Sequence, residues 1–159
     1  MAIYIGGTGS ANALDDYEEG SWTPQMHDIN GSNVVLSGTS GVCKYSKIGR
    51  IVNVTFQVTR DEAGSKTGRL EISQLPFTSI SAAQLMAGSW WMDRGAGNDT
   101  SGGGIYVLGS QTKFRLVNPT AVHTNQGGDD AAKAATRYLE FSQWANGRHI
   151  YGNLTYMSV

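Results

Sequence analysis

Four carboxylates fall within five residues near the start of the chain: Asp15, Asp16, Glu18 and Glu19. Three chemistries use such a cluster. A glycosidase needs two carboxyl groups facing one sugar, roughly 5–9.5 Å apart. A hard cation such as calcium takes clustered oxygens. A subunit contact pairs acids with Lys and Arg of a neighbour. Adjacent residues behind the flexible run Gly6-Gly7-Thr8-Gly9-Ser10 lack the rigid support that the first needs. The regular Asp-x-Asp-x-Asp-Gly loop that would favour the second is absent. The third is the stronger reading. It makes Asp15, Asp16, Glu18 and Glu19 contact or solvated groups, with Tyr17 and Trp22 as aromatic anchors of the kind enriched at interfaces. No catalytic residue, cofactor or metal site is expected, and the chain is read as a non-enzyme.

Other reactive residue types are scattered. His27, His123 and His149 stand far apart, and none has a metal-ligand spacing to Cys or another His. Surface or hydrogen-bonded roles are expected for all three. Cys43 reads as a small buried hydrophobe. The glycine run at residues 6–10 lacks the Lys of a phosphate loop, and no Gly-x-Ser-x-Gly elbow occurs. Trp90-Trp91 is the second informative feature. Adjacent strand residues face opposite sides, so one indole should enter the core and the other should face out. The outward ring suits a subunit interface or a sugar. The loop that follows carries Arg94, Asn98 and Asp99 among glycines. Trp90, Trp91, Arg94, Asn98 and Asp99 are therefore the candidate ligand-binding set.

These residues must be positioned by strands. In residues 50–59, Val52, Val54, Phe56 and Val58 share one face, and Ile51, Asn53, Thr55, Gln57 and Thr59 the other. Shorter alternations run through residues 69–73, 113–116 and 149–157. Less regular strands are expected at 41–47, 86–93, 105–108 and 137–142. Turns are expected at 61–68, 94–104, 118–119, 125–130 and 146–147. Twenty-one glycines against three prolines fit a turn-rich β-protein. The expectation is all-β: an antiparallel β-sandwich or jelly roll over residues 25–159, with an extended N-terminal arm over residues 1–24. Removal of that arm should leave a folded domain.

Bulk properties narrow the function. A net charge of -1 gives no basic footprint for nucleic acid. No apolar run approaches the roughly 20 residues of a membrane span, so neither nucleic-acid binding nor membrane insertion is expected. A single cysteine excludes an internal disulfide framework. Charged residues make up only 16% of the chain, which suits a surface that leans on Ser, Thr, Asn and Gly or one partly covered by another subunit. Apolar residues on both strand faces, Ile51 beside Val52 and Val107 beside Leu108, point the same way.

The acidic run also carries a resemblance. Leu14-Asp15-Asp16-Tyr17-Glu18-Glu19-Gly20-Ser21-Trp22-Thr23-Pro24 resembles the opening motif of a domain found in bacteriophage virion proteins, mostly tail fibres and tailspikes. Tyr45-Ser46-Lys47-Ile48-Gly49-Arg50-Ile51-Val52-Asn53-Val54 is similar to a strand of that family. Leu70-Glu71-Ile72-Ser73-Gln74-Leu75-Pro76-Phe77 is similar to its strand and turn, and residues 144–156 to its closing turn and last strand. The resemblance implies a structural protein of the virion, assembled in the bacterial cytoplasm, and a homotrimer. The motif begins close to Met1, so the expected role is a capsid decoration (cement) protein whose arm reaches neighbouring subunits. The partners would be the major capsid protein or other virion proteins. The alternative is a tail-fibre, receptor-binding tip that recognises a host surface glycan.

Overall fold

The computed structural model describes residues 3–4, 13–14, 17–28, 30–37, 43–61, 68–84, 87–93, 101–118 and 138–159. Strands β1 (Ile3–Tyr4) and β2 (Ala13–Leu14) pair as a two-stranded antiparallel ribbon. Eleven strands make the main sheet. They are β3 (Tyr17–Ser21), β4 (Gln25–Asp28), β5 (Asn33–Val34), β6 (Leu36–Ser37), β7 (Lys44–Ile48), β8 (Ile51–Arg60), β9 (Leu70–Ser73), β10 (Gly88–Met92), β11 (Ser101–Val107), β12 (Lys113–Val117) and β13 (His149–Met157). All pairings are antiparallel, in the order β3-β7-β8-β13-β10-β11-β12-β9-β4-β5, with β6 on β8. Among the described residues the helical content is one 3₁₀ turn, Phe141–Gln143.

The protein is therefore all-β and antiparallel. Its strands follow one hydrogen-bonded path, and that path curls into a half-barrel. Four inter-strand steps separate β8 from β12, about 19 Å in a flat sheet. Yet the rings of Phe56 and Phe114, one from each strand, have centroids 5.3 Å apart. Curling brings the inward faces of both halves onto a shared core.

Alternation explains which residues enter it. Val52, Val54, Phe56 and Val58 of β8 are buried. So are Met26, Ile72, Phe114, Leu116, Ile150, Leu154 and Tyr156 from the other strands. Leu139, Phe141 and Trp144 reach the core from the irregular segment before β13. Trp144 satisfies its indole by donating to Arg148 O at 3.0 Å. The β7–β8 hairpin turns on Gly49 and Arg50 between the paired Ile48 and Ile51. Gly49 has φ 56°, the positive value that a primed two-residue hairpin turn asks of glycine. The stretch resembling a single family strand is thus two strands and their turn.

Three local expectations change. Residues 17–24, grouped with the arm by sequence, supply edge strand β3 and the buried Trp22. Residues 101–104, expected as the end of a turn, begin β11 despite three consecutive glycines. Close approach explains this: a Cβ on Gly102 would meet Trp90 O at 2.8 Å. Residues 138–140 make only isolated bridges, Val117↔Tyr138 and Arg69↔Glu140, where a strand was expected.

Candidate functional site

The acidic run meets the sheet at β3, which among the described residues is an edge strand paired with β7, Tyr17 opposite Ile48 through Ser21 opposite Lys44. Asp15 and Asp16 lie outside the described residues. Glu18 and Glu19 point to opposite faces, as neighbours in a strand must, so these two do not face a common sugar. Each accepts a tyrosine hydroxyl. Tyr17 donates to Glu19 Oε2 at 2.5 Å, and Tyr45 donates to Glu18 Oε1 at 2.7 Å. The neighbouring carboxylates raise both phenol pKa values, chiefly by holding the proton in these hydrogen bonds. Gly20 makes room for this: a Cβ there would meet the Tyr45 ring at 2.8 Å. Tyr45 in turn packs edge-on against Phe77, with ring centroids 5.4 Å apart. The acidic motif and the Leu75-Pro76-Phe77 turn are thus joined through one tyrosine.

Trp22 was expected as a contact anchor. It is instead only 8% exposed, and its indole donates to Thr55 O at 3.1 Å. Its ring is committed to this chain's own core. Tyr17 remains outside, at 45% exposure.

Tyr17 heads a row. Register places it opposite Ile48, Ile48 opposite Ile51, and Ile51 opposite Met157. Direct cross-strand partners share a face, so the four side chains stand side by side across β3, β7, β8 and β13. They are 45%, 51%, 55% and 43% exposed. Scattered exposed apolar residues are ordinary, whereas contiguous ones mark contact surfaces. The rest of this outward face is mostly Ser, Thr, Asn and Gln. Over the described outward positions of β3, β7, β8, β13 and β10, the charged side chains are Glu19 and Lys44.

The two tryptophans divide as alternation requires. Trp90 is 3% exposed and donates its indole to Val117 O at 2.9 Å. Trp91 is 49% exposed and stacks on Tyr151, centroids 4.5 Å apart and 13° between planes. It belongs to the same outward face as the apolar row. Its partner on β11 is Gly102, so no side chain from that position covers the indole. Arg94, Asn98 and Asp99, expected beside it, lie outside the described residues.

A second group was not singled out by sequence. It lies on the outward face of β5, β4, β9 and β12, where register aligns Asn33, His27, Glu71 and Arg115 in one row. Arg115 grips Glu71 Oε1 through both Nε and Nη2. His27 Nε2 lies 3.9 Å and Lys113 Nζ 3.8 Å from Glu71 Oε2. His27, expected at the surface or hydrogen-bonded, is 8% exposed and its Nε2 has no hydrogen-bond partner among the described residues. Burial lowers its pKa, with Lys113 adding to the effect. Asp28 accepts from the backbone of Asn30 and Ser32, both at 2.9 Å, and so shapes the turn beside the cleft. The signal in the sequence was the opposite charges on the polar sides of two strands, Glu71 against Lys113 and Arg115. Nothing local shows that those strands are neighbours.

Cys43 is buried, and its thiol points to Gln57 O at 3.6 Å. Burial pushes its pKa up. Among the described residues no group of three or more His, Cys, Asp or Glu is gathered as a metal site. Comparison with protein-family models, with curated proteins and with solved structures finds no match for this chain.

Proposed function

We propose that this chain is a bacteriophage virion structural protein, a homotrimeric capsid decoration protein seated on the major capsid protein. One observation carries the reading: the exposed apolar row Tyr17, Ile48, Ile51 and Met157 on a face almost without charge. Desolvating such a face against a protein neighbour removes apolar area from water at about 25 cal/mol per Å² and strands few ionised groups. The resemblance of residues 14–24 to the phage motif supplies the setting and the trimer. In this reading the curled sheet is the jelly-roll body, and residues 1–16 are the arm that reaches a neighbouring subunit.

Immunogold electron microscopy of purified virions tests the location. Label over the capsid lattice is the expected result, and label confined to the tail would defeat the proposal. Removal of residues 1–16 tests the arm. The truncated chain should keep its sheet and lose occupancy on the particle.

A second reading rests on Trp91. An exposed indole backed by Tyr151 and flanked by neutral hydrogen-bonding groups offers a stacking platform for a sugar ring. That arrangement suits a receptor-binding tip that recognises a host surface glycan. Loss of glycan-array binding in Trp91→Ala would favour it.

A further inference from the structure

The cleft around His27 is a built site, on different strands from the apolar row. Its lining residues include Gln25, His27, Asn33, Glu71 and Lys113, and its volume is about 290 Å³. We propose that it binds a neutral polyhydroxylated ligand of the saccharide or polyol class, whose hydroxyls bridge His27, Glu71 and Lys113. The inference does not depend on where the chain sits in a virion.

His27 Nε2 is buried without a hydrogen-bond partner among the described residues. Leaving such an atom unsatisfied is costly, and native structures seldom do so without a reason. His27 Nε2 at 3.9 Å and Lys113 Nζ at 3.8 Å from one carboxylate oxygen are both too far for a direct hydrogen bond. Both are close enough for one oxygen atom to bridge them. A single water takes about 30 Å³, which would satisfy Nε2 and leave most of the cleft empty.

Glu71 and Asp28 are opposed by Lys113 and Arg115 at or beside the cleft. A free cation would meet Lys113 next to Glu71 Oε2. A phosphate would meet the carboxylates of Glu71 and Asp28. A hydroxyl suits both signs, because it accepts from the ammonium and donates to the carboxylate or to the imidazole. Gln25 and Asn33 add side-chain amides, which both donate and accept.

The test follows the imidazole directly. Long-range ¹H–¹⁵N spectra of the labelled full chain would be recorded during titration with glucose, galactose, N-acetylglucosamine and glycerol. Parallel titrations would use inorganic phosphate and zinc chloride. The expected result is a saturable shift of His27 Nε2 with at least one polyol, with a dissociation constant of about 1–10 mM. Lys113→Met, at a half-exposed position, should weaken that binding at least about fivefold and leave melting unchanged. Trp91→Ala should leave it intact, which separates this site from the glycan platform. No saturable shift with any polyol, or a response only to phosphate or zinc, would overturn the proposal. So would binding that survives both Lys113→Met and His27→Asn.

Discussion

At the residue scale, Tyr156 shows how one side chain ties distant segments. It is 1% exposed, donates to Phe77 O at 2.9 Å and accepts from Phe77 N at 3.1 Å. Its place on the apolar face of the last strand was legible from alternation; its partner 79 residues away was not. Tyr156→Phe keeps the ring and strips two backbone groups of their partner. Urea unfolding should show a loss of about 1–3 kcal/mol. Burial pushes this phenol's pKa up to about 12, so the folded state favours the neutral form. That stability is present below pH 10 and lost as pH rises from about 10 to 12, a loss the Phe variant should lack. His27 works in the opposite direction on the scale. Its folded pKa lies below the ordinary 6.5, so the unfolded chain takes up a proton first on acidification. Stability should therefore fall as pH drops below about 6.5, and melting curves of His27→Asn should show a shallower fall. The sequence marked His27 as ordinary because its environment comes from β9 and β12, more than 40 positions away in the chain.

At the element scale, strands with strict alternation were legible and strands with broken patterns were not. β8, β12 and β13 declare themselves through period-2 burial. β3 does not, because Tyr17, Glu18 and Glu19 are all exposed on an edge. Charged residues on edge strands hinder further pairing, so the pattern that hides β3 from sequence reading also protects it. β9 was legible too, through Leu70 and Ile72 alternating with Glu71 and Ser73, but its burial was not: all four residues are buried, Glu71 because Arg115 neutralises it. β11 was legible from Ile105 onward, and only its start hides behind glycines. Glycine recurs where strands crowd. At Gly88, on the β10–β13 ladder, a Cβ would meet Asn153 O at 1.9 Å and Leu154 Cα at 2.6 Å. Both are backbone atoms, so no rotamer change relieves the clash. Gly88→Ala should cost about 3 kcal/mol or more, read as a lower urea midpoint. Gly31→Ala is the contrast. Beyond its chain neighbours, no described residue lies within 4 Å of its Cβ position, and its φ of 85° leaves the left-handed penalty, about 1–2 kcal/mol.

At the scale of the whole molecule, curling the sheet leaves one face inward and one outward, and in the proposed assembly the outward face supplies the contact. The sequence hinted at this through apolar neighbours such as Ile51 and Val52. It did not show that Tyr17, Ile48, Ile51 and Met157 line up, because that depends on the register of three separate pairings. Ile51 sits inside this row, 55% exposed and outside the core, so Ile51→Lys should fold as the parent does. If the row lies in the trimer contact, the new ammonium must be desolvated there without a partner. An unpaired charge at a contact costs about 2–5 kcal/mol, which is about 30-fold or more in the association constant. Sedimentation velocity should show the parent as a trimer at micromolar concentration and Ile51→Lys shifted to monomer, with matching circular dichroism and melting temperature. Gln111→Lys, exposed on the turn before β12 and outside the row, should sediment as the parent does. A monomeric parent would remove the trimer from the reading. A trimer untouched by Ile51→Lys would keep the trimer and move its contact away from this row, leaving the apolar face for the capsid protein.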